Sequence, residues 1–350
     1  MKAPIIRFLL VLPFIVSAWG IAAQTDALEP NWDRSLALRA VNRADLEVRL
    51  KPLFQMARAG ESAALLGSLL AIEQDPGLPA PARDYLHFRF AVGLGDLDPN
   101  TVAPAVLEYL STYEARTLIA HEEYPDVAVP LFNIPAAAAG VRNLWEREQA
   151  ARQAQELLEG PADSWVNAYL AANRTARRGF LDALELASDA ELGELGRAAL
   201  ARLDKQPELT LMVARAGLKS GDYDLLRQSI ERGSGPELPR ALQAAARELR
   251  AEECIGLLDH ALRLGSDTKA ALAIAHLGRA RLHEPAVQQL LFDALSDREL
   301  GAAAALALGT SPDPEVQSRL HEIASQESGL AKDRAALAIQ SRRADGEAGS

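Results

Sequence analysis

The chain has 350 residues, enough for one large domain or two of ordinary size. Hydrophobic residues make up 49% of it and aromatic residues only 5%, and because Ala and Leu are strong helix formers whereas strands favour β-branched and aromatic side chains, this composition favours an all-α fold. The formal net charge of −11 argues against binding to nucleic acid or to anionic membrane surfaces, both of which require basic patches, and it favours solubility and a basic partner.

The N-terminus, residues 1–23, has the pattern of a signal peptide. Lys2 and Arg7 form a positive region before the apolar stretch Phe8–Val16, and the small residues ending at Ala23 offer a site for a signal peptidase. The alternative is an uncleaved membrane anchor, but this apolar stretch is shorter than the roughly 20 residues that cross a bilayer. We therefore expect cleavage after Ala23 or the residue before it, and no stable membrane insertion afterwards.

The cysteine content narrows the expected location. The single cysteine, Cys254, has no partner for an internal disulfide, so an exported chain of this kind must be held together by its core. This combination fits the periplasm of a Gram-negative bacterium better than an animal secretory route. We expect a periplasmic or secreted protein in which Cys254, surrounded by apolar neighbours, is a buried core residue.

The mature N-terminal region, 24–175, is predicted to be helical but irregular. From residue 34 onward apolar residues recur at helical spacing, and we find no persuasive alternating strand pattern. No repeat can be aligned here, although tetratricopeptide-type units remain possible. Three prolines interrupt the helices within an irregular segment, 121–135. The predicted helices are Ser35–Ala59, Ser62–Glu73, Pro81–Val92, Thr101–Ala120 and Pro135–Leu158.

The region 176–342 is predicted to be a regular helix array. Its helices are short and the connections between them are brief, so neighbouring helices must pack antiparallel. The last residues, 343–350, contain no large apolar side chain to bury and are predicted to be a disordered tail. The predicted helices of the array are 176–187, 189–204, 207–219, 222–232, 236–249, 251–263, 266–280, 284–295, 297–308, 312–325 and 329–342.

Two stretches of the array carry nearly the same sequence motif. EPAVQQLL at 284–291 and DPEVQSRL at 313–320 share an acid, a proline, a valine, a glutamine and a leucine at the same spacing. Gly278 and Gly309 precede them, 31 positions apart, and a period of about 30 residues built from two short helices is typical of an α-solenoid. In each copy the proline suits a first helical turn, and the valine and leucine lie on one helix face. Asp313 is predicted to cap its helix.

The region 266–341, and most clearly LLFDALSDRELGAAAALALGTSPDPEVQSRL, resembles HEAT-like repeats, in particular the short class that is also found in phycobilisome-lyase proteins. The matching features are the Asp-Pro turn, the alanine-rich second helix and the Leu-Gly ending. The resemblance implies an all-α fold consisting of a right-handed α-solenoid of helix pairs, preceded by the less regular helical region. A curved surface of this kind suits an elongated protein or peptide partner.

One polar group stands out as a candidate functional loop: His121, Glu122, Glu123, Tyr124 and Asp126. Its sequence does not match the helical pattern of zinc proteases, which places two histidines on one helix face. The simplest interpretation is a helix end at which exposed polar side chains meet water. The surrounding segment is nevertheless long and irregular, and such loops often carry function. No catalytic residue, metal site or cofactor is predicted.

We expect a non-enzymatic, exported helical-repeat protein that acts as a protein–protein interaction scaffold or adaptor in the cell envelope. One alternative is an enzyme or metal-binding protein whose site lies in the 113–145 region, with the repeats as its scaffold. Another is a repeat array that serves only as a structural spacer. Because a fold does not determine a function, the choice rests partly on the resemblance.

Overall fold

The computed structural model describes residues 29–42, 46–326 and 328–348, so the predicted signal peptide lies outside the described residues. The described chain consists mostly of helices, in agreement with its content of Ala and Leu. It divides into two compact units, Met1–Arg142 and Asn143–Ser350. Among the described helices, none is both long enough and apolar enough to cross a bilayer.

The boundary between the two units follows Arg142. The sequence predicts a boundary after residue 175 instead, because the helices become more regular there. The first predicted helix, Ser35–Ala59, is two helices on either side of residues 43–45, which lie outside the described residues. The boundary between the units falls within the sixth helix. The helices up to that point are α1 (Arg34–Asn42), α2 (Glu47–Ala59), α3 (Ser62–Gln74), α4 (Ala80–Gly93), α5 (Pro104–Ser111) and α6 (Ile134–Leu158).

A small β-hairpin lies in this region, where the sequence shows no persuasive alternating strand pattern and predicts a helix instead. β1 (Leu118–Ala120) pairs antiparallel with β2 (Ala128–Pro130), and Ile119 lies opposite Val129. The helix predicted to run from Thr101 to Ala120 is confined to α5. Strands this short show no periodicity along the sequence, and the buried carboxylate of Asp84 fixes the entry to β1 through hydrogen bonds that only the folded chain can make.

The second unit is a succession of short helices joined by brief connections. A π-helical turn, Ile274–Gly278, directly continues α14. The helices are α7 (Ala162–Ala171), α8 (Arg174–Ala183), α9 (Asp189–Leu200), α10 (Thr210–Ser220), α11 (Tyr223–Arg232), α12 (Glu237–Glu248), α13 (Ala251–Leu262), α14 (Asp267–Ala273), α15 (Pro285–Ala294), α16 (Gly301–Gly309), α17 (Pro314–Ala324) and α18 (Leu330–Ala348). The last of these extends beyond residue 342, where the sequence pattern placed its end.

Alternate helices of the second unit pack against one another. α7 contacts α9, α9 contacts α11, α11 contacts α13 and α13 contacts α15. In the other series, α10 contacts α12, α12 contacts α14 and its π-helical turn, that turn contacts α16, and α16 contacts α18. Consecutive helices also pack together, as α9 with α10 and α15 with α16 do. One continuous apolar core, from Ala214 to Ala338, joins most of these helices.

The repeated sequence motif has the same structural role in both copies. Pro285 and Pro314 each occupy the first turn of their helix, α15 and α17, where a missing N–H costs nothing. The side chain of Gln288 donates to a carbonyl six residues earlier, at 3.1 Å, and Gln317 does the same at 3.0 Å. Asp313 accepts from the backbone N–H of Glu315 at 2.9 Å, which confirms the predicted cap. The repeated apolar side chains are all buried: Val287, Leu291, Val316 and Leu320.

Candidate functional site

The candidate loop predicted from the sequence is the turn of the hairpin. The backbone N–H of His121 donates to the carbonyl of Val127 at 2.9 Å, and the N–H of Val127 donates to the carbonyl of Tyr124 at 2.8 Å, so the turn is closed by its own backbone. The Tyr124 side chain extends outward and is 63% exposed. Glu122 forms an ion pair with Arg34, and this contact connects the turn to the start of α1.

The turn does not gather its polar side chains around a common point. His121 Nδ1 accepts from the backbone N–H of Glu123 at 3.2 Å, and its ring lies 5.5 Å from that of Tyr124. Hydrogen bonding to Arg34 lowers the pKa of Glu122, so this carboxylate is already neutralised by a cation. Across the described part of the chain, no three or more His, Cys, Asp or Glu side chains are grouped so that they could hold a metal ion.

Sequence reasoning missed a chain of hydrogen bonds in the first unit. His87 on α4 is fully buried, and its Nδ1 lies 2.9 Å from the carbonyl oxygen of Arg83. Because a carbonyl can only accept, Nδ1 carries the proton of this bond. The other ring nitrogen, Nε2, lies 3.0 Å from the hydroxyl of Tyr109, and that hydroxyl lies 3.0 Å from Oε2 of Glu73. The chain leads from a buried imidazole to a half-buried carboxylate.

A second carboxylate, Asp84, lies beside this chain and is also fully buried. Its Oδ1 accepts from the hydroxyl of Tyr113 at 3.0 Å, and its Oδ2 accepts from the backbone N–H groups of Arg116 at 3.0 Å and Thr117 at 2.8 Å. The ring of Tyr113 stacks on His87 with centroids 4.4 Å apart. Three donated hydrogen bonds compensate the burial of Asp84, which would otherwise be costly.

The electrostatics favour one protonation pattern near neutral pH. Burial lowers the pKa of His87, and burial raises the pKa of both Tyr109 and Tyr113. Burial would also raise the pKa of Glu73, but hydrogen bonds from Arg116 and Tyr109 outweigh it, so its pKa lies below the ordinary value. The imidazole is therefore neutral, the phenols keep their protons, and the Glu73 carboxylate is ionised. In this state Nε2 of His87 and Oε2 of Glu73 compete for the single hydroxyl proton of Tyr109.

This buried cluster borders a cavity of about 380 Å³. Glu73, Tyr109 and Arg116 line it, and Arg116 Nη2 donates to Oε1 of Glu73 at 2.7 Å. The sequence carries a weak signal of the cluster, since Asp84 and His87 are three positions apart in α4, and polar side chains at that spacing share a helix face.

A larger cavity, about 630 Å³, lies in the second unit. Side chains from the end of α7, from α8, from α10 and the turn before it, and from the start of α12 line it. This volume lies within the range of roughly 300–1,000 Å³ that is typical of ligand pockets. We call it the arginine groove. Its charged lining residues are Arg174, Arg177, Arg178, Glu208, Glu237 and Arg240, and its apolar ones are Tyr169, Leu181, Pro207, Leu211 and Pro236.

Two of the arginines in the arginine groove are held in place by the protein itself. Arg177 Nε donates to the carbonyl of Tyr169 at 3.1 Å, and its Nη2 donates to the carbonyl of Leu170 at 2.8 Å. The guanidinium of Arg177 also lies over the ring of Tyr169, 5.5 Å from its centroid. Arg240 pairs with Glu237, one turn earlier in α12, at 2.7 Å. These contacts fix part of the positive charge of the groove relative to its apolar lining.

Cys254 is buried, as the sequence predicted, and burial raises the pKa of its thiol. A buried thiol with a raised pKa is a poor nucleophile.

Comparisons of the chain with protein-family models, with curated proteins and with solved structures find no match.

Proposed function

We propose that the second unit is a right-handed α-solenoid of HEAT-like helix pairs, and that the chain is a non-enzymatic scaffold that binds another protein. The contacts between alternate helices support this, because each helix pair of a solenoid covers the apolar face of its neighbour. The matching hydrogen bonds of Gln288 and Gln317 support it further, since they are what equivalent positions of successive repeats would make.

The arginine groove is the proposed docking site for an extended segment of the partner. The observation that carries this proposal is the combination of an apolar lining and charged side chains in one cavity that touches α8, α10 and α12. α12 packs against α10, and so does the short turn Leu184–Leu186 that directly follows α8. Neighbouring packed helices are about 8–10 Å apart, so these elements together span about 18 Å. An extended segment of about six residues covers that distance. A groove of this length suits a peptide better than a compact metabolite.

The proposed place of action is the cell envelope, in the periplasm or outside the cell. The pattern of the first 23 residues supports this, with its basic start, its short apolar stretch and the small residues that follow. The absence of an internal disulfide partner for Cys254 is compatible with a bacterial envelope protein that relies on its core.

Site-specific crosslinking tests the docking site. A photoreactive amino acid replaces Glu208, which lines the arginine groove, in the full chain expressed in its own cells. The matched control carries the same amino acid at Glu194, an exposed position on α9 that does not line the groove. We expect a defined polypeptide adduct from position 208 and none from position 194. Equal adducts at both positions, or none at either, would contradict the proposed function.

A second candidate function, a small-molecule or metal-dependent activity in the 113–145 region, is favoured by the cavity beside Glu73 and Tyr109. Screening polar metabolites and divalent metals for an increase in melting temperature tests it. A ligand that stabilises the native protein but not a Glu73→Gln variant would support this candidate. Stabilisation of both proteins alike, or of neither, would count against it.

A further inference from the structure

The charge of the arginine groove is opposite to that of the chain. The formal charge of the whole protein is −11, yet four arginines and only two glutamates line this cavity. The overall charge led us to expect a basic partner, but a partner segment responds to the potential where it binds. The local balance of the groove is positive, so this site favours an acidic ligand.

Two arginines of the arginine groove remain available to a ligand. Arg177 and Arg240 are engaged in contacts within the protein, as described above. Within the described part of the chain, no carboxylate lies at ion-pair distance from Arg174 or Arg178. These two residues are exposed and four positions apart in α8, so they lie on one helix face about 6 Å from each other. The pair can accept two carboxylates of a bound segment.

The rest of the lining restricts which anion fits. Leu181, Leu211 and Pro236 are partly or fully exposed and offer apolar surface in the same groove as the two available arginines, and a ligand that carries only charge gains nothing from it. Glu208 and Glu237 also line the cavity, and they repel a polymer that is negative along its whole length. These features disfavour nucleic acid and favour a peptide in which acidic and apolar side chains alternate.

We propose that the arginine groove binds an extended segment of a partner protein, about six residues long, in which acidic side chains contact Arg174 and Arg178 while apolar side chains contact the lining. This inference rests on the proposed docking function and specifies the chemistry of the partner. In an extended segment, alternate side chains point to opposite sides, so one edge of the peptide is acidic and the other apolar.

Three labelled hexapeptides test the inference by fluorescence anisotropy with the full-length protein. They alternate leucine with glutamate, with glutamine or with lysine. We expect the glutamate peptide to bind more tightly than the glutamine peptide by about two- to thirtyfold, the range that two exposed ion pairs produce. Its affinity should fall as salt is raised, because salt screens exposed charges. Equal binding of all three peptides, or preference for the lysine peptide, would overturn the inference.

Charge reversal locates the binding. The double variant Arg174→Glu/Arg178→Glu should lose the preference for the glutamate peptide. A control variant, Arg152→Glu/Arg298→Glu, makes the same change in net charge at two exposed arginines outside the groove and should keep the preference. Circular dichroism melting of both variants verifies that they fold. Equal loss in both folded variants would show a general charge effect and overturn the assignment to Arg174 and Arg178.

Competition separates this inference from the proposed function. If the glutamate peptide prevents the crosslink formed from position 208, both stand. If the crosslink forms and the peptide does not compete, the acidic chemistry is wrong but the docking site remains. If neither the crosslink nor peptide binding is seen, both fail. Single-stranded DNA that binds the native protein as tightly as the glutamate peptide, and loses binding in the Arg174→Glu/Arg178→Glu variant, would make the ligand a nucleic acid and overturn the inference.

Discussion

The close approach of α8 to α6 predicts that Gly179→Ala destabilises the second unit. A Cβ atom at this position would lie 2.0 Å from the carbonyl oxygen of Arg147 and 2.9 Å from the backbone nitrogen of Ala151. Ordinary contact needs about 3.5 Å, so α8 would have to move by more than about 1 Å. The obstructing atoms belong to the backbone, so they cannot rotate away as a flexible side chain could.

The expected size of the effect follows from two opposing contributions. Alanine is a better helix former than glycine by about 1 kcal/mol, whereas overpacking a close contact costs about 1–3 kcal/mol. Because backbone atoms obstruct the new Cβ of Gly179→Ala, we expect the upper part of that range and a net loss of about 1–2 kcal/mol. With a urea m-value of about 2 kcal/mol/M, the unfolding midpoint falls by about 0.5–1 M.

Gly67→Ala is the matched control for Gly179→Ala. Gly67 lies inside α3, and no heavy atom lies within 4 Å of the position that its Cβ would occupy. The same chemical change should therefore leave stability unchanged or raise it by up to about 1 kcal/mol. Urea unfolding followed by circular dichroism measures both variants. If Gly179→Ala proves as stable as the native protein, the close packing of α8 on α6 is refuted.

Three further outcomes are expected. N-terminal sequencing of the exported protein should find Ala23 or Gln24 as the first residue, and an intact Met1 would contradict the signal peptide. Replacing residues 121–123 together with alanine should leave metal content unchanged and shift stability by less than about 0.5 kcal/mol, as exposed positions usually do; loss of a bound metal would favour the alternative function. Burial lowers the pKa of His87 in the native protein, so below about pH 6.5 the unfolded chain binds more protons than the native protein does. The contribution of His87 to stability is therefore complete above that pH and declines below it. His87→Gln should reduce this decline between pH 7 and pH 5 in urea titrations, and an equal decline in both proteins would refute the role of His87.

Local chemistry explains why some predictions about this chain succeed. Pro285 and Pro314 begin helices and Asp313 caps one, because these effects depend only on residues within one turn. The burial of Val316 and Leu320 follows from their position on one helix face. For the same reason the general helical character of the chain could be predicted from its composition and periodicity.

The candidate sites could be predicted only in part. The turn at residues 121–126 was identified as irregular, but nothing in its sequence shows that it joins two strands or that Glu122 pairs with Arg34. The pairing partner lies far away along the chain, so only the folded structure brings the two charges together. The same holds for His87, since its partner Tyr109 and the Glu73 carboxylate that Tyr109 contacts come from two other helices.

The sequence by itself determined that the fold is mainly helical, where several helices begin, and that two sequence motifs of the array are similar. Tertiary structure alone decided which other side chains lie beside the basic residues of α8. Arg174, Arg177 and Arg178 are already close together in the sequence, but nothing in the sequence shows that Arg240 of α12 lines the same cavity. Packing places α8, α10 and α12 around one cavity, where their arginines outnumber the acids. Electrostatic potential depends on distances in space, whereas periodicity along the chain specifies only which face of each helix is buried.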